Sequence, residues 1–221
     1  VSVINQAISS GVDAICISTV DAAGVSDALQ EAKDAGIMVT TWDSDANSDD
    51  RNLMVSQGTP EVLGQMLVDM AVDGLKERGV KATFFLVGEN VETYPDIVKR
   101  IYEEGHLIGN HTYHHVEITK LSDEEAMYEI NKTDELIAAI TGQRVQYIRP
   151  PFGVWQRELE NHLDVLPVMW TVDPLDWTTE NVDEVVNKVV SQAKENDIIL
   201  LHDCYKSSVE AALRIVDLLK A

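Results

Sequence analysis

The chain has few basic residues and lacks any long hydrophobic run. Its 221 residues include 17 lysines and arginines against 38 aspartates and glutamates, which gives a formal net charge of −21. Such a surface repels phosphate backbones and anionic lipids, so neither nucleic acid nor a membrane is expected as a partner. No apolar run approaches the roughly 20 residues that a membrane-spanning helix needs.

Cysteine is also scarce. Cys16 and Cys204 are too few for a framework of disulfides. Cys16 lies in the apolar run Ala-Ile-Cys-Ile, and we expect it to be a buried free thiol. The sequence starts without methionine inside a predicted helix, so we expect a cut end there. It predicts no cellular location.

Apolar strands alternate with amphipathic helices along the whole chain, which favours an α/β fold with parallel strands. Glycines predict two helix ends, at Gly36 and Gly142, and a capping box predicts a helix start at Ser122. The predicted strands are residues 14–19, 37–42, 52–55, 82–87, 107–111, 145–148, 168–172 and 198–202. The predicted helices are residues 2–10, 25–35, 60–78, 95–104, 123–140, 182–194 and 209–219.

Polar residues follow several of these strands. One strand ends in His-Thr-Tyr-His-His at residues 111–115; others lead to Arg-Pro-Pro-Phe-Gly at 149–153, Asp-Pro-Leu-Asp-Trp at 173–177 and Leu-His-Asp at 201–203. Two histidines four residues apart can turn both imidazoles toward one point, and neutral imidazole is a common ligand of Zn²⁺. Four polar clusters on four strand ends are typical of the mouth of a barrel.

Together with Gly-Val-Lys-Ala-Thr-Phe-Phe at residues 79–85, these motifs make residues from about 79 to 219 resemble the polysaccharide deacetylases. That family includes chitin-oligosaccharide and peptidoglycan deacetylases. The resemblance implies an irregular, TIM-like (β/α) barrel of about seven to eight parallel strands. It also implies Zn²⁺ or a similar divalent metal, and hydrolysis of an N-acetyl group on an oligosaccharide.

By this resemblance, His111 and His115 bind the metal, which polarises the acetyl carbonyl and lowers the pKa of its water. The backbone N–H of Phe152 helps to hold the developing oxyanion. The substrate-binding residues implied are Trp177, which lines the acetyl pocket, and Pro151.

The resemblance also assigns the acid and base machinery. Arg149 orients the base, and Asp176 holds His202, the general acid toward the leaving amine. Each residue has a structural alternative: Arg149 as a salt bridge at the barrel mouth, Asp176 as a helix N-cap and Trp177 as a core side chain.

The first third of the chain resembles a different family. Gly-Val-Asp-Ala-Ile at residues 11–15, Thr-Trp-Asp-Ser-Asp at 41–45 and the segment 57–70 are similar to type 1 periplasmic binding proteins for rhamnose-like sugars and autoinducer-2. Only part of the first lobe is present over residues 1 to 75. The second lobe, which would close over a ligand, is absent.

The change from one family resemblance to the other affects the predicted metal site. The deacetylase family begins with a strand ending in Thr-Phe-Asp-Asp-Gly, and here Thr-Trp-Asp-Ser-Asp stands at the same place in the order. If the strands superpose, Asp43 is the general base and Ser44 takes the place of a carboxylate ligand. A hydroxyl is a poor substitute on a divalent ion, and Asp45 reaches the metal only if the strand end bends. The metal is therefore expected to bind weakly or not at all.

These observations predict one engineered chimeric domain over residues 1–221. A flavodoxin-like segment, 1–75, completes the barrel of a deacetylase-like segment, 76–221. We predict that it keeps most of a metal-dependent N-deacetylase site but has little or no activity. The alternatives are a working carbohydrate N-deacetylase and a small-sugar binding module. The sequence makes no prediction of oligomeric state.

Overall fold

Helices and parallel strands alternate along the chain, which confirms the predicted α/β class. The computed structural model describes residues 1–42, 44–55, 60–155 and 163–220. They divide into two compact units, Val1–Leu63 and Gly64–Ala221. Within the described ranges, none of the helices combines the length and the apolar character needed to cross a bilayer.

The first unit contains a parallel sheet of three strands in the order β1-β2-β3. The carboxylate of Asp21 accepts the backbone N–H of Gly24 at 3.1 Å and so begins the second helix three residues before its predicted start. The elements are α1 (Ser2–Ser9), β1 (Ala14–Ile17), α2 (Ala22–Asp34), β2 (Met38–Trp42) and β3 (Leu53–Val55).

The two faces of this sheet differ. One packs against α1 and α2 in a core that contains Ile4, Leu29 and Val39. Side chains on the opposite face are exposed, and Cys16 is among them. The expectation of a buried Cys16 is therefore wrong. Successive strand side chains point to opposite faces, and the neighbouring isoleucines take the face toward the core.

The second unit contains a parallel sheet of four strands in the order β4-β5-β6-β7. The long helix α3 (Pro60–Glu77) leads into it along the chain. The elements that follow are β4 (Thr83–Leu86), α4 (Gly88–Thr93), α5 (Pro95–Glu103), β5 (Leu107–Asn110), α6 (Asp123–Thr141), β6 (Tyr147–Ile148), β7 (Leu166–Pro167), α7 (Val182–Val190) and α8 (Lys206–Lys220).

The strand register in this sheet brings two predicted motifs together. Asn110 at the end of β5 pairs with Leu86 on one side and with Ile148 on the other. The backbone N–H of Arg149 then donates to the carbonyl of Asn110 at 2.9 Å. The segments that start at His111 and Arg149 therefore leave the sheet side by side.

Two of the strands predicted in this unit need correction, and one helix was missed. The strands predicted at residues 168–172 and 198–202 are wrong, because the first run divides its hydrogen bonds between two neighbours and the second forms only one isolated bridge. Val168 donates to Ile148 at 2.7 Å, whereas Val172 forms only an isolated bridge with Ile199. The short helix α4 was not predicted at all. The joining of both sheets into one barrel stays a prediction.

Candidate metal and catalytic site

The two histidines at the end of β5 face each other across a tight turn. Thr112 and His115 both adopt left-handed backbone conformations, with φ of 62° and 54°. Their combined effect is to fold residues 111–115 back, so that the ring centroids of His111 and His115 lie 4.8 Å apart with an interplanar angle of 72°. The spacing of four residues therefore yields convergent imidazoles through the turn and not through a regular strand.

The environment of His111 suits a metal ligand. Its Nδ1 lies 2.5 Å from the carbonyl oxygen of Arg149. Since a carbonyl only accepts, Nδ1 carries the proton and Nε2 keeps a free lone pair. Burial lowers the pKa of His111 to about 4, so the ring is neutral near pH 7. Burial also lowers the pKa of His115.

The segment after β6 contributes a second strained turn beside the histidines. Phe152 has a φ of 61° and lies in the short 3-10 turn Pro151–Gly153. Its ring centroid is 5.2 Å from that of His115. Pro151 is buried, and the Phe152 side chain is 65% exposed, which leaves it open to a ligand. The roles assigned to the Phe152 amide and to Pro151 stay predictions.

Arg149 is a buried cation. Its guanidinium stacks 4.3 Å from the centroid of the Phe85 ring, and its Nε donates to the carbonyl of Val168 at 3.2 Å. Burial lowers its pKa. Within the described ranges no carboxylate lies at ion-pair distance from Arg149, so these residues do not show the salt bridge weighed as its structural alternative.

Asp176 and His202 form a buried pair. The two carboxylate oxygens of Asp176 lie 2.7 Å from the backbone N–H and from Nδ1 of His202, respectively. The hydrogen bond to Asp176 raises the pKa of His202. Burial acts to raise the pKa of Asp176, but its hydrogen bonds outweigh burial and lower it. This arrangement orients the ring of His202 and leaves Nε2 to carry the transferable proton.

The alternatives for Asp176 and Trp177 do not match this geometry. Asp176 uses both carboxylate oxygens on His202, and no side-chain cap is described at the 3-10 turn Asp176–Thr178 that it begins. Trp177 is 55% exposed and is therefore not a core side chain. It lines an open cavity of about 230 Å³ together with Asp176, Tyr205 and Ser207. The assignment of Trp177 to the acetyl pocket stays a prediction.

Asp45 is engaged by its own loop. Its carboxylate accepts two hydrogen bonds from Arg51, at 2.6 and 2.7 Å, one from Thr41 at 2.5 Å and one from the backbone N–H of Ala46 at 2.9 Å. The Arg51 guanidinium is the main reason that the pKa of Asp45 falls to about 2. Metal ligation by Asp45 would require it to exchange these partners, and it stays a prediction. Asp43, the predicted base, lies outside the described residues.

The donor set fits a divalent metal in part. The two neutral imidazoles are suitable ligands for Zn²⁺. The described part of the chain contains no group of three or more His, Cys, Asp or Glu side chains that could hold an ion. His111 and His115 would therefore supply two ligands, and the third ligand predicted from the sequence, Asp45, is held by its own loop.

Sequence reasoning missed the residues that support the turn. Glu129 on α6 is buried, and its carboxylate accepts the backbone N–H groups of Tyr113 and His114. A signal was present in the sequence. Glu129 falls on the helical stripe formed by Ala126, Ile130 and Ile137, all buried, and an acid among apolar neighbours at that spacing indicates a buried carboxylate with partners.

The comparisons with known proteins identify the family of the chain. The family model for polysaccharide deacetylase matches residues 49–169, more than half of the 221 residues. The chain belongs to the polysaccharide deacetylase family. The match to the deacetylase family begins well before residue 79, where the sequence motifs place its start. The resemblance of residues 1–75 to binding proteins stays a prediction.

Two deacetylases of other bacteria match about two thirds or more of this chain. A peptidoglycan-N-acetylglucosamine deacetylase of Bacillus cereus is 40% identical over 67% of this chain and 57% of its own length. A chitooligosaccharide deacetylase of Rhizobium leguminosarum bv. trifolii is 38% identical over 72% of this chain and 74% of its own. The chain thus spans little more than half of the Bacillus cereus relative.

A solved structure supports the same fold. The wild-type BA3943 protein of Bacillus anthracis, a CE4 family pseudoenzyme, superposes with a TM-score of 0.68 at 31% identity. The superposition covers 71% of this chain and 57% of that one. The deacetylase fold is therefore found in a protein classed as a pseudoenzyme.

Proposed function

We propose that this chain carries an incomplete metal-dependent N-deacetylase site for N-acetylated oligosaccharides, with weak metal binding and little turnover. The observation that carries the proposal is the convergence of His111 and His115 at 4.8 Å between ring centroids, each with its pKa lowered by burial. When bound there, a divalent metal would polarise the acetyl carbonyl and lower the pKa of a water.

The chain's own residues would supply the remaining chemistry. His202, oriented by Asp176 and with its pKa raised, would hold a proton on Nε2 for the leaving amine. The buried guanidinium of Arg149 would orient the base. By its place in the motif, Asp43 would be that base and would take a proton from water. Trp177 would form one wall of the acetyl pocket.

The weakness of the site follows from the residue beside Asp43. Ser44 is exposed, and its backbone N–H donates to the carbonyl of Trp42 at 2.7 Å. A hydroxyl in the position of a carboxylate ligand cannot neutralise the ion, so metal affinity and water activation should both be low.

Restoring the carboxylate tests this proposal. Ser44→Asp should raise the affinity for Zn²⁺ at least about tenfold, or ~1.4 kcal/mol, in a calorimetric titration. Acetate release from chitin oligomers should rise from near background. Ser44→Asn is the uncharged control of similar size. Equal affinities of the two variants would show that β2 is out of register with the family's first motif, and the assignment of Asp43 as base would fall with it.

We also infer that residues 1–75 are a flavodoxin-like segment that completes the deacetylase unit in one engineered chimeric domain. The parallel order β1-β2-β3 with helices on one face supports this, because parallel sheets are stable when both faces are covered. Scanning calorimetry should show one cooperative unfolding transition. Two separate transitions would refute the single domain. Titration with monosaccharides would detect the alternative, a small-sugar binding module.

A further inference from the structure

The turn that carries the two histidines has a backbone conformation that the chain does not favour by itself. Thr112 and His115 have φ values of 62° and 54°. Left-handed conformations are rare for residues other than glycine, and a β-branched residue such as Thr112 is among the least suited to them. Such a turn persists only where the surrounding structure holds it. The groups that hold this turn therefore decide where the imidazoles lie.

The carboxylate of Glu129 makes three contacts with the turn. One oxygen accepts the backbone N–H groups of Tyr113 and His114, at 3.0 and 2.8 Å. The other oxygen lies 2.6 Å from Nδ1 of His114. Glu129 is only 6% exposed, so water competes little for these hydrogen bonds. The ring of His114 is thereby directed to Glu129 and not to the histidine pair.

Neutral groups fix the remaining peptide units of the turn. The side-chain oxygen of Asn110 accepts the N–H of Thr112 at 2.8 Å. The carbonyls of Thr112 and Tyr113 accept the first two N–H groups of α4, from Gly88 at 2.9 Å and from Glu89 at 3.0 Å. Among these contacts, Glu129 is the one group from outside the turn that binds two of its N–H groups at once.

We propose that Glu129 is a positioning residue, whose buried carboxylate holds residues 112–114 so that His111 and His115 meet at one point. Its relevance to metal binding rests on the proposed function, whereas its effect on the distance between the rings does not. Glu129 touches neither ring, and acts through the backbone between them.

The same helix provides a matched control. Asp134 on α6 is also buried, at 7% exposure, and its carboxylate also accepts a backbone N–H, that of Val145, at 2.9 Å. Its other oxygen accepts from Arg144 at 3.2 Å. Asp134 thus resembles Glu129 in burial and bonding but holds a different loop. Asp134→Ala should destabilise the fold without moving the histidines.

The experiment compares three variants in the full chain by NMR and by Zn²⁺ titration. In Glu129→Ala, the nuclear Overhauser contact between the rings of His111 and His115 should disappear. Hydrogen exchange at the amides of Tyr113 and His114 should accelerate, and Zn²⁺ affinity should fall by about 10- to 100-fold. In Asp134→Ala, the ring contact and the affinity should match those of the parent chain. Glu129→Gln should keep both, because its amide oxygen can accept the same two N–H groups.

The outcomes separate the two proposals. If Glu129→Ala keeps both the ring contact and the Zn²⁺ affinity, the positioning role is wrong. The role is also wrong if Asp134→Ala loses the ring contact and the affinity to the same extent as Glu129→Ala, because that result would indicate general destabilisation. If the parent chain binds no Zn²⁺, the proposed function fails, and the ring contact alone decides the role of Glu129. A loss in Glu129→Gln that matches Glu129→Ala assigns the role to the negative charge of the carboxylate.

Discussion

The loop after β2 and the turn after β5 both bring polar side chains to the end of a parallel strand, but the loop engages the Asp45 carboxylate whereas the turn leaves a lone pair on Nε2 of His111. In the loop, Asp45 is itself the hydrogen-bond acceptor, and Arg51, Thr41 and Ala46 occupy its carboxylate. In the turn, the carboxylate of Glu129 on α6 accepts two backbone N–H groups, and none of the hydrogen bonds described for Glu129 is to the ring of His111 or His115. A polar residue at a strand end is available to a ligand when other groups stabilise its loop.

The largest expected effect is on metal binding. Replacement of both His111 and His115 by Ala should lower the Zn²⁺ affinity by more than about a hundredfold, or ~2.7 kcal/mol, because both available ligands are lost. Asp45→Ala should lower the affinity far less in the same calorimetric titration, because Arg51 and Thr41 hold the Asp45 carboxylate. A loss with Asp45→Ala equal to that of the double variant would remove the distinction between the loop and the turn.

A smaller effect is expected on the support of the turn. A Cβ on Gly88 would lie 2.5 Å from the hydroxyl oxygen of Thr133 and 2.9 Å from Cα of Tyr113. Gly88→Ala should therefore lower the free energy of unfolding by about 2 kcal/mol in urea. Gly64→Ala is the control, since its Cβ would meet nothing within 4 Å. Equal stability of both variants would mean that α4 does not clamp the turn.

The ion pair between Asp45 and Arg51 in the loop after β2 should make the stability of the fold depend on pH. Arg51 lowers the pKa of Asp45 from 3.8 to about 2. A lowered pKa in the folded state stabilises the protein above the unfolded value and is lost as the pH falls through the folded value. Denaturant unfolding of the parent chain should thus weaken between pH 3.8 and about 2 more steeply than that of Asp45→Asn. Arg51→Gln should remove the same excess slope, and a slope equal to that of the parent would contradict the pairing.

The smallest effect concerns a single titration. Asp176 raises the pKa of His202 through the hydrogen bond to Nδ1. Asp176→Asn should move the pKa of His202 down, as followed by NMR, while Asp134→Asn should not. A raised pKa stabilises the folded state below the unfolded value of 6.5 and is lost as the pH rises through the folded value. This contribution is therefore strongest in mildly acidic solution. If the pKa of His202 is unchanged in Asp176→Asn, the assignment of His202 as a general acid held by Asp176 is contradicted.

The sequence predicted most helices because their ends have local causes. The box at Ser122 and Glu125 is present, and Gly142 ends that helix with a φ of 74°. The predicted strand at residues 168–172 failed because a strand exists only where a neighbour pairs with it, and the apolar run does not show which neighbour that is. The predicted burial of Cys16 was wrong for a related reason. Alternation of side chains along a strand shows that its two faces differ, but it does not show which face is covered.

For the site, the sequence by itself determined the residue types within its motifs, among them the two histidines, Asp176 and His202. The tertiary structure decided which of their atoms are free. Hydrogen bonds between segments far apart in the chain fix these atoms: Arg149 to His111, Asp176 to His202 and Glu129 to the turn. A motif contains the ligands in order. The left-handed turn that brings them together is unfavourable locally, and only partners from other elements can stabilise it.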